Sequence, residues 1–358
     1  MPRIRFHGPL SLRLASAFAL MRIGTAVTLA HRRGQPLAPD WDRDTEVGVR
    51  FWRHQFTQAM RAIDAGDPAR GRAILDSLQT ETDDVYDVRA EGARGGTWLH
   101  PKVRQGRAVV LYLHGGGYAF HGRMSHRFAR MLAHRLEAPV YAPDYRLTPG
   151  HPHPAQAEDA LAAWGRVCEG VDPSRIVLIG DSAGGHMVLM LMQALRARGL
   201  AQPALAVGLC PWTDIGARGD SLTGNDAFDL VQGWMAVQFG RWLDPGDRFG
   251  RAALSPIAQD YSGLAPLYLQ AGGREVLRDM IDEFAQGQAD KGADLLFDLW
   301  PGMPHDFQLY DSTQAASREA LERLRQAVRA SVDGGPSLRA GPRTRVASGR
   351  FALGYQSA

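Results

Sequence analysis

The sequence predicts an α/β fold: a mostly parallel sheet with helices on both faces. Three observations lead there. Short all-apolar runs alternate with longer amphipathic ones from about residue 108 to residue 332. The run Ile176-Val177-Leu178-Ile179 stops in a glycine-framed serine, Gly180-Asp181-Ser182-Ala183-Gly184-Gly185, at the head of a long apolar segment. A second run, Val109 to Leu113, empties into His114-Gly115-Gly116-Gly117-Tyr118. Strands buried on both faces read as continuous apolar runs, and parallel neighbours need a helical crossover between them.

Taken in order, the first 39 residues contain no Asp or Glu but carry Arg3, Arg5, Arg13, Arg22, Arg32 and Arg33 around two apolar runs, Leu14 to Met21 and Ile23 to Ala30. Neither run approaches the roughly 20 residues of a membrane span, and Arg22 interrupts them. Three readings stand: a helix packed over the protein's own pocket, a segment in weak contact with a membrane surface, or a cleaved targeting peptide. Val47, Phe51, Phe56, Met60 and Ile63 recur at helical spacing, and Asp67-Pro68, an N-cap followed by proline at the first helical position, opens a helix to Leu78. Strands follow at Val85 to Ala90, Thr97 to Lys102 and Ala108 to Leu113. Then come a helix from Ser125 to Leu136, a strand from Val140 to Ala142, a helix from Ala155 to Cys168, the strand before the serine, and a helix from Ala183 to Arg198 closed by Gly199. The pattern ends with a strand from Ala204 to Leu209, an aromatic-rich insertion, a strand from Pro266 to Gln270, a helix from Asp279 to Lys291, a strand from Asp294 to Trp300 and a helix from Thr313 to Val332. Residues 333–358, rich in Gly, Ser and Arg, read as a flexible tail.

The composition, 45% hydrophobic and 22% charged over 358 residues, is that of a globular protein with a large core. A net charge of +3, with much of the basic excess at the two ends, marks no nucleic-acid surface. Cys168 and Cys210, both in apolar stretches without metal-ligand spacing, read as buried reduced thiols and place the chain in the cytoplasm, with no metal.

The chemistry concentrates at the strand ends. A Gly-x-Ser-x-Gly arises by chance about 0.2 times in a chain this rich in glycine, so context carries the inference. A tight strand-to-helix turn projects the Ser182 hydroxyl outward, and the helix N-terminus directs free N–H groups at any anion that forms there. The glycines after residue 113 leave backbone N–H groups open to a ligand, so the amides of Gly115, Gly116 and Ala183 are expected to hold an oxyanion, with His114 and Gly117 supporting the loop. No Lys-Ser/Thr pair follows, which argues against a nucleotide-binding loop. Serine needs a base held by a carboxylate. His305, in Pro301-Gly302-Met303-Pro304-His305-Asp306-Phe307, follows the last predicted strand of this region, as the chain order Ser, acid, His requires. After the preceding strand stand Glu275, the favoured acid, and Asp279, the alternative, which reads as a helix start. Asp181 and Arg146 read as structural ion-pair partners that support the loops.

The set His114-Gly115-Gly116-Gly117, Asp144-Tyr145-Arg146-Leu147-Thr148-Pro149, Gly180 to Gly185 and Pro304-His305-Asp306-Phe307 resembles the hormone-sensitive-lipase-like (family IV) α/β-hydrolase carboxylesterases over roughly residues 80–330. The resemblance implies an eight-stranded sheet in a catalytic domain of residues 81–332, a helical cap, a cofactor-free serine esterase mechanism and, often, a homodimer. Two positions depart from the family pattern: Glu275 stands where Asp is usual, and Gly150 where a glutamate is usual. The cap is placed in residues 1–80 and about 213–256, with Tyr118, Trp212, Trp234 and Phe239 as candidate pocket residues. The expected substrate is a short to medium acyl ester. Amide, lactone or acyl-transfer chemistry would use the same residues, and a small-molecule receptor of the same fold could dispense with them.

Overall fold

The computed structural model describes residues 4–80, 85–334 and 338–352; Arg3 of the basic N-terminal segment and residues 335–337 and 353–358 of the expected tail lie outside them. The chain opens with β1 (Ile4–Phe6), α1 (Leu10–Arg32), α2 (Arg43–Asp64), α3 (Pro68–Leu75) and β2 (Leu78–Thr80). The body follows as β3 (Val88–Ala93), β4 (Gly96–Pro101), β5 (Val109–Leu113), α4 (Arg123–Leu136), β6 (Val140–Pro143), α5 (Ala155–Cys168), β7 (Ile176–Asp181), α6 (Ala183–Ala197) and β8 (Leu205–Leu209). An insertion holds α7 (Ser221–Gly224), α8 (Gly233–Leu243) and α9 (Arg251–Leu254); then come β9 (Leu267–Gly272), α10 (Arg278–Asp290), β10 (Leu295–Trp300), α11 (Ala315–Asp333) and β11 (Thr344–Ala347).

The main sheet has nine strands in the order β11-β10-β9-β8-β7-β5-β6-β4-β3. From β6 through β10 every pairing is parallel; β3, β4 and β11 join antiparallel at the two edges. Successive residues of one strand face opposite layers. Val109, Leu111 and Leu113 pack with α5, α6 and α10, whereas Val110 and Tyr112 pack with α4 and α11. Burying both faces explains why the central strands carry almost no polar residue.

The expected tail corrects to an edge strand. β11 pairs with β10 through Leu296–Ala347 and Phe297–Val346, and Leu338, Val346 and Phe351 are buried. A four-residue edge strand is too short for a periodic signal, so its polar, glycine-rich flanks dominated the reading. It is anchored by Asp298, which accepts hydrogen bonds from the Thr344 hydroxyl (2.6 Å), the Tyr268 hydroxyl (2.9 Å) and the Arg323 guanidinium (2.7 Å). A second correction concerns α1. It is one continuous helix of 23 residues, long and apolar enough by length and composition alone to cross a membrane. Arg22 does not break it because the side chain lies exposed on its outer side. Further on, the helix that opens at Pro68 ends at Leu75, and Leu78 instead begins β2, which pairs with β1.

Arg323→Met should leave the buried Asp298 carboxylate short of its cation and lower stability by about 3 kcal/mol in urea denaturation; an unchanged midpoint would show that Asp298 does not depend on it.

Candidate active site

Strand β7 and helix α6 meet at Ser182 with almost no turn between them. Its φ of 52° and ψ of −119° lie where a residue bearing a side chain is strained by roughly 1–3 kcal/mol. The flanks over-determine this conformation: all six residues of β7 are buried, the Ser182 N–H donates to the Leu209 carbonyl (2.9 Å), and the Ser182 carbonyl accepts from Trp212 (3.1 Å). A Cβ on Gly184 would collide with the Leu113 carbonyl oxygen, so only glycine lets α6 start this close to β5. The Ala183 amide, first of the helix, then has no acceptor among the described residues.

Asp181 points from the end of β7 toward the glycine loop. Its Oδ1 accepts the Tyr112 hydroxyl (2.7 Å) and the Gly115 N–H (2.9 Å). This corrects the expected oxyanion donors. The Gly115 amide is already committed to Asp181, and the amides of Gly116 and Gly117 are the ones without a protein acceptor among the described residues. The loop is held further by His114. Its Nδ1–H donates to the Gly115 carbonyl (2.8 Å), its ring stacks between His121 and Tyr145 (4.2 and 4.0 Å), and the Tyr145 hydroxyl donates to the His114 carbonyl (2.6 Å). Burial keeps that imidazole neutral by lowering its pKa well below the ordinary value.

The loops after β9 and β10 bind each other: the Gly273 N–H donates to the Trp300 carbonyl (2.9 Å) and the Arg274 N–H to the Met303 carbonyl (3.0 Å). That brings His305 onto Glu275. The His305 Nδ1–H donates to Glu275 Oε2 at 2.6 Å, and Glu275 Oε1 accepts the Gly272 N–H at 3.0 Å. Both side chains are fully buried. The other ring nitrogen, Nε2, and the Ser182 hydroxyl have no hydrogen-bond partner among the described residues, and Ser182 and His305 line the same cavity. Open hydrogen bonds between nucleophile and base are common before substrate arrives. Asp279 lies elsewhere. Its Oδ2 accepts the Ser221 N–H (2.7 Å) and so fastens the 213–256 insertion to α10.

Two carboxylates at this site were not singled out as site residues: Asp229 lies in no motif, and Asp306 entered only as part of the motif around His305. Asp229, in the insertion and fully buried, accepts the backbone N–H groups of His305 (3.1 Å) and Leu230 (2.7 Å) on Oδ1 and that of Val276 (2.7 Å) on Oδ2. It thereby ties the insertion to the loops that carry Glu275 and His305. Burial raises its pKa to about 6, as it does for Asp181. Asp306, in the left-handed region at φ 49°, sets Oδ2 at 3.5 Å from His305 Nε2. Burial pushes the Asp306 carboxyl well up. For His305, burial pulls the pKa down, but Asp306, Glu275 and Asp229 outweigh it and raise it to about 10. Cys210 Sγ sits within 4.8 Å of ligand-type atoms of His305 and Asp306, with its thiol pKa raised by burial.

A cavity of about 500 Å³ opens over Ser182, with Gly115, Gly116, Gly117, Asp181, His305 and Asp306 at its base. Its walls are mostly apolar and come from the N-terminal helices and the insertion, including Phe51, Phe56, Leu75, Leu230 and Phe239. Of the expected pocket residues, only Phe239 lines it. Tyr118 is buried, its hydroxyl donating to His186 Nδ1 (2.6 Å), and Trp212 packs on the same histidine at 5.5 Å. Trp234 faces outward at the surface, because α8 turns the opposite side of the helix to the core. The N-terminal segment also closes over the histidine loop: the Trp41 indole N–H donates to the Gly302 carbonyl (2.6 Å), and Asp40 pairs with Arg274 (2.6 Å). Arg146 is a structural partner, bound to Asp159 and Glu158, and Gly150 is exposed.

An imidazole that acts as a general base must be neutral to take a proton, so if His305 has that role, carboxylates that raise its pKa delay activity to higher pH. Asp306→Asn removes one of them and should move the acidic limb of kcat/KM to lower pH by about one unit; a limb that stays in place would mean that Asp306 is uncharged in the free enzyme.

A family model described as alpha/beta hydrolase fold matches residues 110–309. An acetyl-hydrolase of Streptomyces hygroscopicus is 36% identical over 243 residues, 66% of this chain and 80% of its own. The carboxylesterase NlhH of Mycobacterium tuberculosis is 30% identical over 303 residues, 78% of this chain and 94% of its own. Among solved structures, an esterase from the bacterial hormone-sensitive lipase family aligns with a TM-score of 0.66 at 28% identity, covering 88% of this chain and 98% of that one.

Proposed function

The chain belongs to the hormone-sensitive-lipase-like family of α/β-hydrolase esterases and is a carboxylic ester hydrolase, and we propose that Ser182, His305 and Glu275 hydrolyse short to medium acyl esters through an acyl-enzyme. The observation that carries this reading is the 2.6 Å contact between His305 Nδ1 and Glu275, which leaves the other ring nitrogen without a hydrogen-bond partner among the described residues, in a cavity whose lining includes both His305 and Ser182.

His305 Nε2 takes the Ser182 proton as Oγ attacks the ester carbonyl. The carbonyl oxygen becomes an anion and rests on the amides of Gly116, Gly117 and Ala183, each worth about 3–4 kcal/mol at that point. As the C–O bond to the alcohol breaks, the imidazolium returns its proton to the departing alkoxide. Water then attacks the acyl-serine, gives its proton to His305, and the carboxylic acid leaves as Ser182 is re-protonated. Glu275 holds the imidazole N–H and stabilises the transient imidazolium. The apolar walls, with Phe56 and Phe239 each edge-on to Phe120 at 5.8 and 6.1 Å, favour an uncharged acyl chain. The unpaired thiols Cys168 and Cys210 support a cytoplasmic setting.

A panel of p-nitrophenyl esters from acetyl to dodecanoyl tests the reading. The wild type should favour the short and medium esters, and Ser182→Ala should lose at least about 10³-fold in kcat on all of them while keeping the native melting temperature. Retained turnover in that variant, or a preference for charged or peptide substrates, would refute it.

A further inference from the structure

Helix α1 has two apolar sides, and the protein covers only one. The covered side centres on Ser16, Ala19, Ile23 and Val27. It is fastened to α2 by polar contacts: the Gln55 amide donates to Ser16 Oγ (3.1 Å) and Ser77 Oγ (2.9 Å), and His31 meets Glu46 at 2.9 Å. On the opposite side Leu10, Leu14, Phe18 and Met21 are 61–65% exposed, and Leu29 is 46% exposed. At about 100° per residue, these five fall within an arc of about 100°, a single stripe along the helix. Arg13 lies about 60° beyond one edge of the stripe and Arg22 about 20° beyond the other, both exposed; Arg32 and Arg33 close its C-terminal end. No acidic residue precedes Asp40.

We propose that the outer face of α1 docks on an anionic lipid bilayer, lying in the interface with its apolar stripe in the acyl boundary and its arginines among the headgroups. Charge decides the occupant. A stripe of leucine, phenylalanine and methionine edged only by arginines matches a negatively charged lipid surface. Two copies of α1 laid face to face would set their arginines against one another. A spanning arrangement would strip α1 from Gln55, Ser77 and Glu46 and carry Arg13 and Arg22 into hydrocarbon. Leu20 of the same helix lines the substrate cavity, so the docked face and part of the apolar wall of the active site belong to one element. The proposal concerns binding and stands whether or not the catalytic assignment does.

The test is co-sedimentation of the full chain with phosphatidylcholine vesicles and with vesicles containing about one-third phosphatidylglycerol. The expected result is binding to the anionic vesicles about tenfold or more stronger than to the neutral ones, weakened by salt. Leu14→Ser with Phe18→Ser should weaken that binding at least about tenfold while leaving hydrolysis of a soluble ester unchanged. Arg13→Gln and Arg22→Gln should each weaken it roughly fivefold. Near-ultraviolet circular dichroism of each variant establishes that the fold is retained. Equal affinity for both vesicle types, no sedimentation with either, or undiminished binding of the double variant would overturn the proposal. So would a dimer that the same substitutions dissociate without vesicle binding, or resistance to extraction by alkaline carbonate, which would mark a spanning helix.

Discussion

The active site depends on one strained residue. A positive φ at Ser182 survives because fully buried β7 and α6 fix both sides of it. Three consequences follow from the same turn: the Ser182 side chain lines the cavity, the Ala183 amide, first N–H of a helix, is left without an acceptor among the described residues, and Asp181 is directed back under the glycine loop after β5. Asp181 then takes the Gly115 N–H, and that bond leaves the next two amides of the loop for substrate. The proposed nucleophile and oxyanion donors are thus set by a single piece of backbone, before any base is considered.

The base poses an electrostatic problem. Glu275, Asp229 and Asp306 all meet His305 in a buried setting, and burial raises the pKa of Asp229 and of Asp306. The three are not equivalent. Glu275 binds the imidazole N–H itself, whereas Asp229 binds only backbone N–H groups, its carboxyl raised to about 6 by burial. Asp306, its carboxyl pushed well up by burial, sits 3.5 Å from Nε2 of the ring. In the proposed mechanism Glu275 orients the ring, Asp229 joins the loops, and Asp306 tunes the pH at which the ring loses its proton. Because Asp229 comes from the insertion that also walls the cavity, the position of His305 is coupled to the segment that contacts the acyl chain.

Much of this was legible in the sequence, for identifiable reasons. Ser182, Glu275 and His305 stand at the ends of β7, β9 and β10 because apolar strands followed by glycine-rich loops declare where a parallel sheet ends. The choice between Glu275 and Asp279 followed from distance to the strand end, and Asp279 indeed serves the insertion instead. Which glycine amides are free was not legible, since it turns on the direction of a side chain 66 residues away. Asp229 sits in an insertion without a motif, and its partners are backbone groups that any residue supplies. Tyr118, Trp212 and Trp234 failed as pocket residues because aromatic type does not report which side of a helix or loop faces the cavity. β11 was hidden because its four residues are too few to show a period, and Arg22 masked the continuity of α1 because a long side chain at a helix edge interrupts hydropathy without interrupting the helix.

The most direct test of the account is a crystal structure of the enzyme phosphonylated by an alkyl fluorophosphonate, whose tetrahedral phosphorus stands in for the attacked carbonyl carbon. The account predicts phosphorus bonded to Ser182 Oγ, with one phosphonyl oxygen about 2.7–3.1 Å from the amides of Gly116, Gly117 and Ala183, while the Gly115 N–H stays on Asp181. An adduct whose oxygen is held by Gly115, or one formed on any other residue, would contradict it.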